Sequence, residues 1–374
     1  MEIMKKLLYL LVVATLFFAA CNDDDSPVDV VDNVLKGNIT ADKTLDASVV
    51  YSLEGTVNVK SGATLTIPAG TVIKAKKGFA QYILVERGAK IMAEGTASAP
   101  IVFTSAEAVP SSTDWGGLII NGYAPISGAT AGTEALTEVD NNIKYGGTNV
   151  ADNSGVLKYV ILAYTGARSS ESIEHNGLTL NAVGNGTVIE NIYIPYSGDD
   201  GIEFFGGSVN VKNLLVVNSD DDMFDMTQGW TGKLTNAYGI WKAGFASTES
   251  DPRGIEADGN FDGLGPDHVG QSNFTIENIT IVNKSGYEMQ DAIKIRRGAK
   301  ATITNCLVTG SGKVTDLVDF TDSKGAGNAS SSVNITYTGV TITGKETNGT
   351  GNVSIVAGNT GANTSVFAWT NFEF

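Results

Sequence analysis

A repeat of 22 residues constrains this chain more than any other feature of its sequence. Residues 188–194 (VIENIYI) align with residues 211–216 (VKNLLV) so that Asn191 falls on Asn213, 22 positions later. The pattern returns at 277–281 (ENITI) and 304–308 (TNCLV), and an earlier copy stands at 156–161 (VLKYVI). No segment shows a sustained apolar period of about 3.6 residues. Short alternating runs rich in Val, Ile and Thr recur instead, punctuated by Gly, Asn and Asp, and hairpin signals between them are sparse. A unit of 22 to 27 residues with Gly or Asn corners has the size of one β-helix coil. Longer intervals, such as the 42 residues from Asn236 to Asn278, then mark loops inserted at a corner.

One such coil cannot bury its own apolar side, so many must stack and the ends must be capped. The expected fold is therefore all-β, a single right-handed parallel β-helix over residues 45–374 with corner loop insertions. Asn191, Asn213, Asn278 and Asn305 are expected to form a structural column, because Asn tolerates left-handed dihedrals and can ladder along a stack. The aromatic tail at 366–372 is expected to close the C-terminal end.

The N-terminal residues carry a different message. Lys5 and Lys6 precede an apolar run from 7 to 18, too short for a comfortable span of about 20 residues, and Ala19-Ala20-Cys21 follows. Residues 1–20 thus read as a lipoprotein signal peptide. The segment FAAC at 18–21 resembles a bacterial lipobox, with Phe18 in place of the usual Leu. The resemblance implies that Cys21 is the acylated mature N-terminus, carrying palmitate or a similar chain. Asp23, Asp24 and Asp25 resemble the export tag that sends Bacteroidota lipoproteins to the outer face of the outer membrane. Residues 21–44 are expected to be an acidic flexible tether. Removing residues 1–20 deletes Glu2, Lys5 and Lys6, which takes the formal charge from −16 to −17. That charge argues against nucleic acid and against an anionic lipid surface. Cys306 is the only other cysteine, so no intramolecular disulfide is expected.

Several segments carry a family resemblance: DWGGL at 114–118, NSGVLKYV at 153–160, NGLTL at 176–180 and, above all, SGDDGIEFFGG at 197–207. They resemble those of Bacteroidota β-helix surface lipoproteins, over roughly residues 45 to 374. The resemblance implies a β-helix at the cell exterior and no particular activity.

Residues 197–207 and 219–229 superpose without a gap, placing Asp199 on Asp221, Asp200 on Asp222 and Glu203 on Asp225. Stacked carboxylates repel and raise each other's pKa unless a cation lies between them. These six acids are the candidate metal ligands, and Ca²⁺, which takes 6–8 oxygens, fits them. The other compensation comes from the protein itself. The Glu203 column is expected to continue to Glu256 and Lys294, with Ile202, Phe224, Ile255 and Ile293 as its buried neighbours. Lys294, Arg253, Arg296 and Arg297 would then supply the positive charge. This acid–base ladder is preferred, because basic residues recur on the coil that continues the column.

An enzyme reading casts Asp199, Asp221 and Arg296 as catalytic candidates of a polysaccharide lyase or glycoside hydrolase on an acidic glycan. The double Asp at 199–200 superficially resembles a polygalacturonase segment, but no Gly-His-Gly follows it. His175 reads as a corner residue. Asp258, Asn260 and Asp262 resemble the start of an EF-hand loop that no Glu closes. A third reading makes Trp115, Trp230 and Trp241 a ligand surface, with Tyr238 and Phe245 nearby. The preferred function is a cell-surface binding or scaffolding module, accessory to an outer-membrane transporter or to glycan capture. The lyase or hydrolase is the alternative.

Overall fold

The structure is a computed structural model that describes residues 33–170, 173–260 and 267–374. Its main sheet of 24 strands winds as a right-handed parallel β-helix, as the repeat predicts. Two faces of the coil position the site. One runs through Gly155–Leu162, Val188–Pro195, Asn210–Val217, Lys233–Trp241, Asn273–Asn283 and Lys300–Gly310, each parallel to the next. The other runs through Trp115–Asn121, Leu178–Asn181, Ile202–Phe205, Phe224–Thr227, Ile255–Asp258, Met289–Arg296 and Lys313–Asp319. Alternation along these short strands sends every second side chain inward. Leu178, Ile202, Phe224, Ile255, Ile293 and Val318 thereby stack as one fully buried column. Burying each contributes about 1.5–3 kcal/mol.

On the first face five of these six strands bend at an Asn with left-handed φ, 59° at Asn191, 59° at Asn213, 61° at Asn236, 58° at Asn278 and 51° at Asn305, and Gly155–Leu162 bends at Tyr159, 51°. Their amides bond from coil to coil, Asn213 to Asn191 at 2.9 Å, Asn236 to Asn213 at 3.0 Å and Asn305 to Asn278 at 2.7 Å. Asn serves here because its short polar side chain tolerates the conformation that turns the strand.

Two expectations are corrected. Val34–Ile39 pairs with Val50–Val59, and Lys43–Thr44 pairs with Thr64–Pro68, so residues 34–44 belong to the stack and not to a tether. Too few apolar residues fall there for a period to show. The export signal, Cys21 and the remainder of the tether lie outside the described residues.

The aromatic tail does not close the C-terminal end. After the last strand, Asn352–Ile355, the chain doubles back along the outside of the Asn face. Thr360 and Gly361 donate backbone N–H groups to Asn305, Ala362 donates to Thr280, and Asn363 donates to Asn236 at 2.6 Å. A 3-10 helix, Thr364–Thr370, then seats Phe367 among Leu215, Val217, Tyr238, Ile240 and Val282. Trp369 meets Tyr159 edge-on at 5.4 Å. The tail goes there because the outer side of this face combines polar Asn amides with a strip of apolar side chains separate from the main core. Among the described residues no helix is long and apolar enough to cross a membrane.

Candidate functional site

The acidic column runs in the expected register. Glu203 pairs with Asp225, Asp225 with Glu256, and Glu256 with Lys294. Glu203, Asp225 and Glu256 point away from the core into a lateral cleft of about 710 Å³. Asp199, Asp200, Asp221 and Asp222, on the turns that lead into Ile202–Phe205 and Phe224–Thr227, line the same cleft. Twelve Asp and Glu residues line it against three arginines, so the protein's own cations cannot neutralise it.

The arginines serve one end. Arg253 pairs with Glu256 and Asp251 and, through Nε, with Asp291 at 3.1 Å. Arg296 pairs with Glu256 and with Asp258 at 2.7 Å, and Arg297 with Asp258 at 2.9 Å. Lys294 reaches Asp319, and Asp291 at 3.9 Å. The ladder therefore holds from Glu256 onward.

It does not extend to the six acids below. Among the described residues none of the six forms an ion pair with Lys or Arg, and the Oδ1 atoms of Asp221 and Asp225 are buried without a hydrogen-bond partner. Their few bonds are local: Asp200 accepts from the Asp222 N–H at 2.9 Å, Asp222 from the Arg253 N–H at 2.7 Å, and Glu203 from Asn176 at 2.5 Å. Burial first, and then the neighbouring negative charges, push Asp199, Asp200, Glu203, Asp222 and Asp225 well above the usual carboxylate range. Burial and the Glu256 charge raise Asp221 to about 7, with Arg253 opposing. Glu203 and Asp225 lie within hydrogen-bonding reach of each other, so one proton can be held between them.

Two overlapping sets bring carboxylate oxygens within 4.8 Å of one another: Asp199, Asp200 and Asp221, and Asp200, Glu203 and Asp225. A third set, Asp291, Asp316 and Asp319, is already satisfied. Asp316 accepts from Lys345 N and Asn348 Nδ2, and Asp319 from Thr321 and Lys294.

Other expected site residues are placed differently. Trp115, Trp230 and Trp241 are 0% exposed and donate their indole N–H to the backbone carbonyls of Ala163, Val209 and Ser219. They are core side chains and not a ligand surface: Trp115 and Trp241 stand at strand ends, Trp230 in a turn, and all three rings pack into the main apolar core. Tyr238 is buried as well. Arg296 lines the cleft, but its guanidinium is held charged between Glu256 and Asp258, so it is not available as a base. His175 is buried against Phe79 and Tyr82, and burial lowers its pKa to about 4. Asp258 ends a strand and is held in the arginine cluster; Asp262, of the same EF-hand-like run, lies outside the described residues.

Sequence reasoning missed Glu138, Glu174 and Glu249, which overhang the acids from inserted loops. Glu138 sits in the turn between Glu134–Thr137 and Asp140–Gly146, an antiparallel hairpin pinned by Arg87 to Glu134 at 2.6 Å. Burial and the Glu174 charge raise it to about 7. The available signal was the long interval after Asn121, which has to leave the coil beside the acidic rungs.

A search of curated proteins finds no match. Among solved structures, the catalytic domain of a GH87 alpha-1,3-glucanase in complex with nigerose is 12% identical over 87% of this chain, with a TM-score of 0.31. A variant of that domain in complex with tetrasaccharides is 14% identical over 86%, with a TM-score of 0.32. The matched region is 63% of each glucanase chain. A profile of the pectate-lyase-like β-helix domain matches residues 37–372, nearly the whole described structure. The chain belongs to the pectate-lyase-like β-helix domain family.

Proposed function

We propose that the lateral cleft binds a divalent cation of the Ca²⁺ type and, through it, the hydroxyl or carboxylate groups of a glycan. The observation that carries this reading is six carboxylates from two consecutive coils gathered without a cationic partner. A separation of 4.8 Å is twice a typical Ca–O distance of about 2.4 Å, so three such oxygens can share one ion. The donor set is hard oxygen throughout, which favours Ca²⁺ over the softer transition metals. Three protein ligands leave about three to five coordination positions for water or sugar oxygens. In the same reading the protein is a cell-surface lipoprotein of the Bacteroidota type, held to the outer membrane through Cys21, and serves glycan capture or an outer-membrane transporter.

Calorimetric titration of the chain with Ca²⁺ tests the cleft. Saturable uptake that Asp200→Asn abolishes supports the reading, because Asp200 belongs to both ligand sets. No uptake at millimolar Ca²⁺ refutes it.

One observation favours cleavage as well as capture. With the cation on Asp200, Glu203 and Asp225, Asp221 stays outside the ligand set; burial and the Glu256 charge raise it to about 7, so it holds a proton near neutral pH that it can donate to a glycosidic oxygen. The family's name, after pectate lyase, agrees with a glycan as substrate. Product release from a glycan panel, lost in Asp221→Asn, would establish the lyase or hydrolase.

A further inference from the structure

A second groove, of about 1140 Å³, lies beside the acidic cleft and takes no part in the cation reading. Its wall contains Tyr164 and Tyr196, half-buried, with ring centroids 5.3 Å apart and planes 5° from parallel. Phe79 and Phe245 line it as well. Tyr164, Tyr196 and Asn218 occupy one corner of three consecutive coils, since Tyr164 N bonds to Pro195 O, Tyr196 N to Val217 O and Asn218 N to Ile240 O. All three backbones are left-handed, with φ of 65°, 64° and 56°. At the other corner the same requirement is met by Asn, and the one Tyr there, Tyr159, is covered by Trp369. Among the described residues, the only aromatic contact that either Tyr164 or Tyr196 makes is with the other. A ring kept at a position that costs backbone strain, and left half-open, points to a use outside the fold.

We infer that this groove is a subsite for the sugar rings of a neutral glycan chain that continues into the acidic cleft. A pyranose offers an apolar C–H face with hydroxyls around its rim. The electron-rich faces and edges of the aromatic rings attract the first, and hydroxyl and amide groups such as Ser111 and Asn218 hydrogen-bond the second. The groove exceeds the roughly 300–1,000 Å³ of a pocket for one small molecule, so it suits an extended ligand. A neutral chain is specified because both cations of the groove are already paired, Arg168 with Asp220 at 3.4 Å and Lys77 with Asp114 at 3.1 Å.

Arg168 joins the two spaces. It lines the groove with Asp220, to which it pairs at 3.4 Å, and it pairs with Glu174 at 3.3 Å and with Glu249, both in the wall of the cleft. It also donates to the carbonyl of Gly198, the residue before Asp199. The subsite rests on the glycan reading of the cleft only for where the chain runs next.

The test uses the full chain with Ca²⁺ and four probes: glucose hexamers linked β-1,4, β-1,3 and α-1,3, and hexagalacturonate. Binding is read by calorimetry and by the near-ultraviolet tyrosine difference spectrum. At least one neutral hexamer is expected to bind saturably and to perturb the tyrosine band. Tyr196→Asn, which keeps a residue suited to the left-handed backbone, is expected to weaken it roughly tenfold with an unchanged melting temperature. Tyr196→Phe is expected to stay within about twofold, because the ring and not its hydroxyl does the stacking. Failure of every neutral hexamer to bind, or wild-type affinity in Tyr196→Asn, overturns the subsite. Asp200→Asn separates the two readings. Loss of Ca²⁺ uptake with the tyrosine signal retained supports both. Tyr196-dependent sugar binding without any Ca²⁺ uptake in the wild type leaves the subsite standing and refutes the cation reading.

Discussion

Raising the pH should destabilise the cation-free protein, and Ca²⁺ should reverse that loss only where the acids are ionised. Asp221 has a pKa of about 7 in the folded chain against 3.8 for an ordinary Asp. A raised acid contributes stability that is fully present below the unfolded pKa and is lost as pH rises through the folded one. Between pH 5 and 7 the unfolded chain is ionised at this group while the folded chain still holds its proton. Two pH units at 1.36 kcal/mol each give a loss of about 3 kcal/mol from Asp221 alone. For a domain of this size that lowers Tm by about 4 °C. The other raised carboxyls of the cleft act in the same direction. Thermal melts in chelator at pH 5, 6, 7 and 8 should therefore fall and then level off. Ca²⁺ at a hundred times its dissociation constant should restore about 2.7 kcal/mol at pH 8 and much less at pH 5, where protonated carboxyls do not ligate. Asp221→Asn should make the fall shallower by about 3 kcal/mol, and Asp200→Asn, which takes a ligand from both carboxylate sets, should remove the Ca²⁺ response. A Tm in chelator that rises from pH 5 to 8, equally in wild type and Asp221→Asn, would refute the assignment of an uncompensated acidic cluster.

Cys21→Ser should release the protein from the outer-membrane fraction; retention at the wild-type level in cell fractionation would show that Cys21 is not the anchor. Arg253→Met should cost about 3 kcal/mol in denaturant unfolding, because it leaves the buried Glu256 with Arg296 alone and the buried Asp291 with Lys294 alone, at 3.9 Å. Asn213→Ala should cost about 2 kcal/mol by breaking two amide bonds at a left-handed position. Asn213→Gly should cost less, since Gly adopts that conformation freely; equal losses in the two variants would deny the backbone its share.

The parts of the structure that repeat were legible, because a parallel stack turns sequence spacing directly into spatial adjacency. Asn191 over Asn213, Ile202 over Phe224 and Glu203 over Asp225 follow from a single shift of 22 residues, and the register confirms each. Matching Ile255 and Ile293 to Phe224 brought Glu256 and Lys294 into line as well, across the wider intervals that inserted loops leave. What does not repeat was hidden. The spacing says which side chains are neighbours along the stack and nothing about which corner loop folds over them, so Glu138 and Glu249 went unnoticed. A tryptophan near a corner reads alike whether its ring points in or out, and all three rings point in. The tail at 356–374 contacts distant coils through bonds with no period, and its return across the Asn face left no mark on the pattern.

That return changes how the rod can come apart. A solenoid held by contacts between adjacent coils frays from its ends, each turn leaving almost independently of the next. Here the final residues lie across the flank of the strands from Lys300–Gly310 back to Gly155–Leu162, joined by Thr360, Asn363, Phe367 and Trp369. The last coil cannot peel away without drawing on that seam, so a load applied at the C-terminus falls first on the middle of the rod. The seam spans the same run of coils that carries the acidic cleft on another face. Rigid spacing between the carboxylate rungs is thus maintained from outside by a segment that contributes no side chain to the cleft itself.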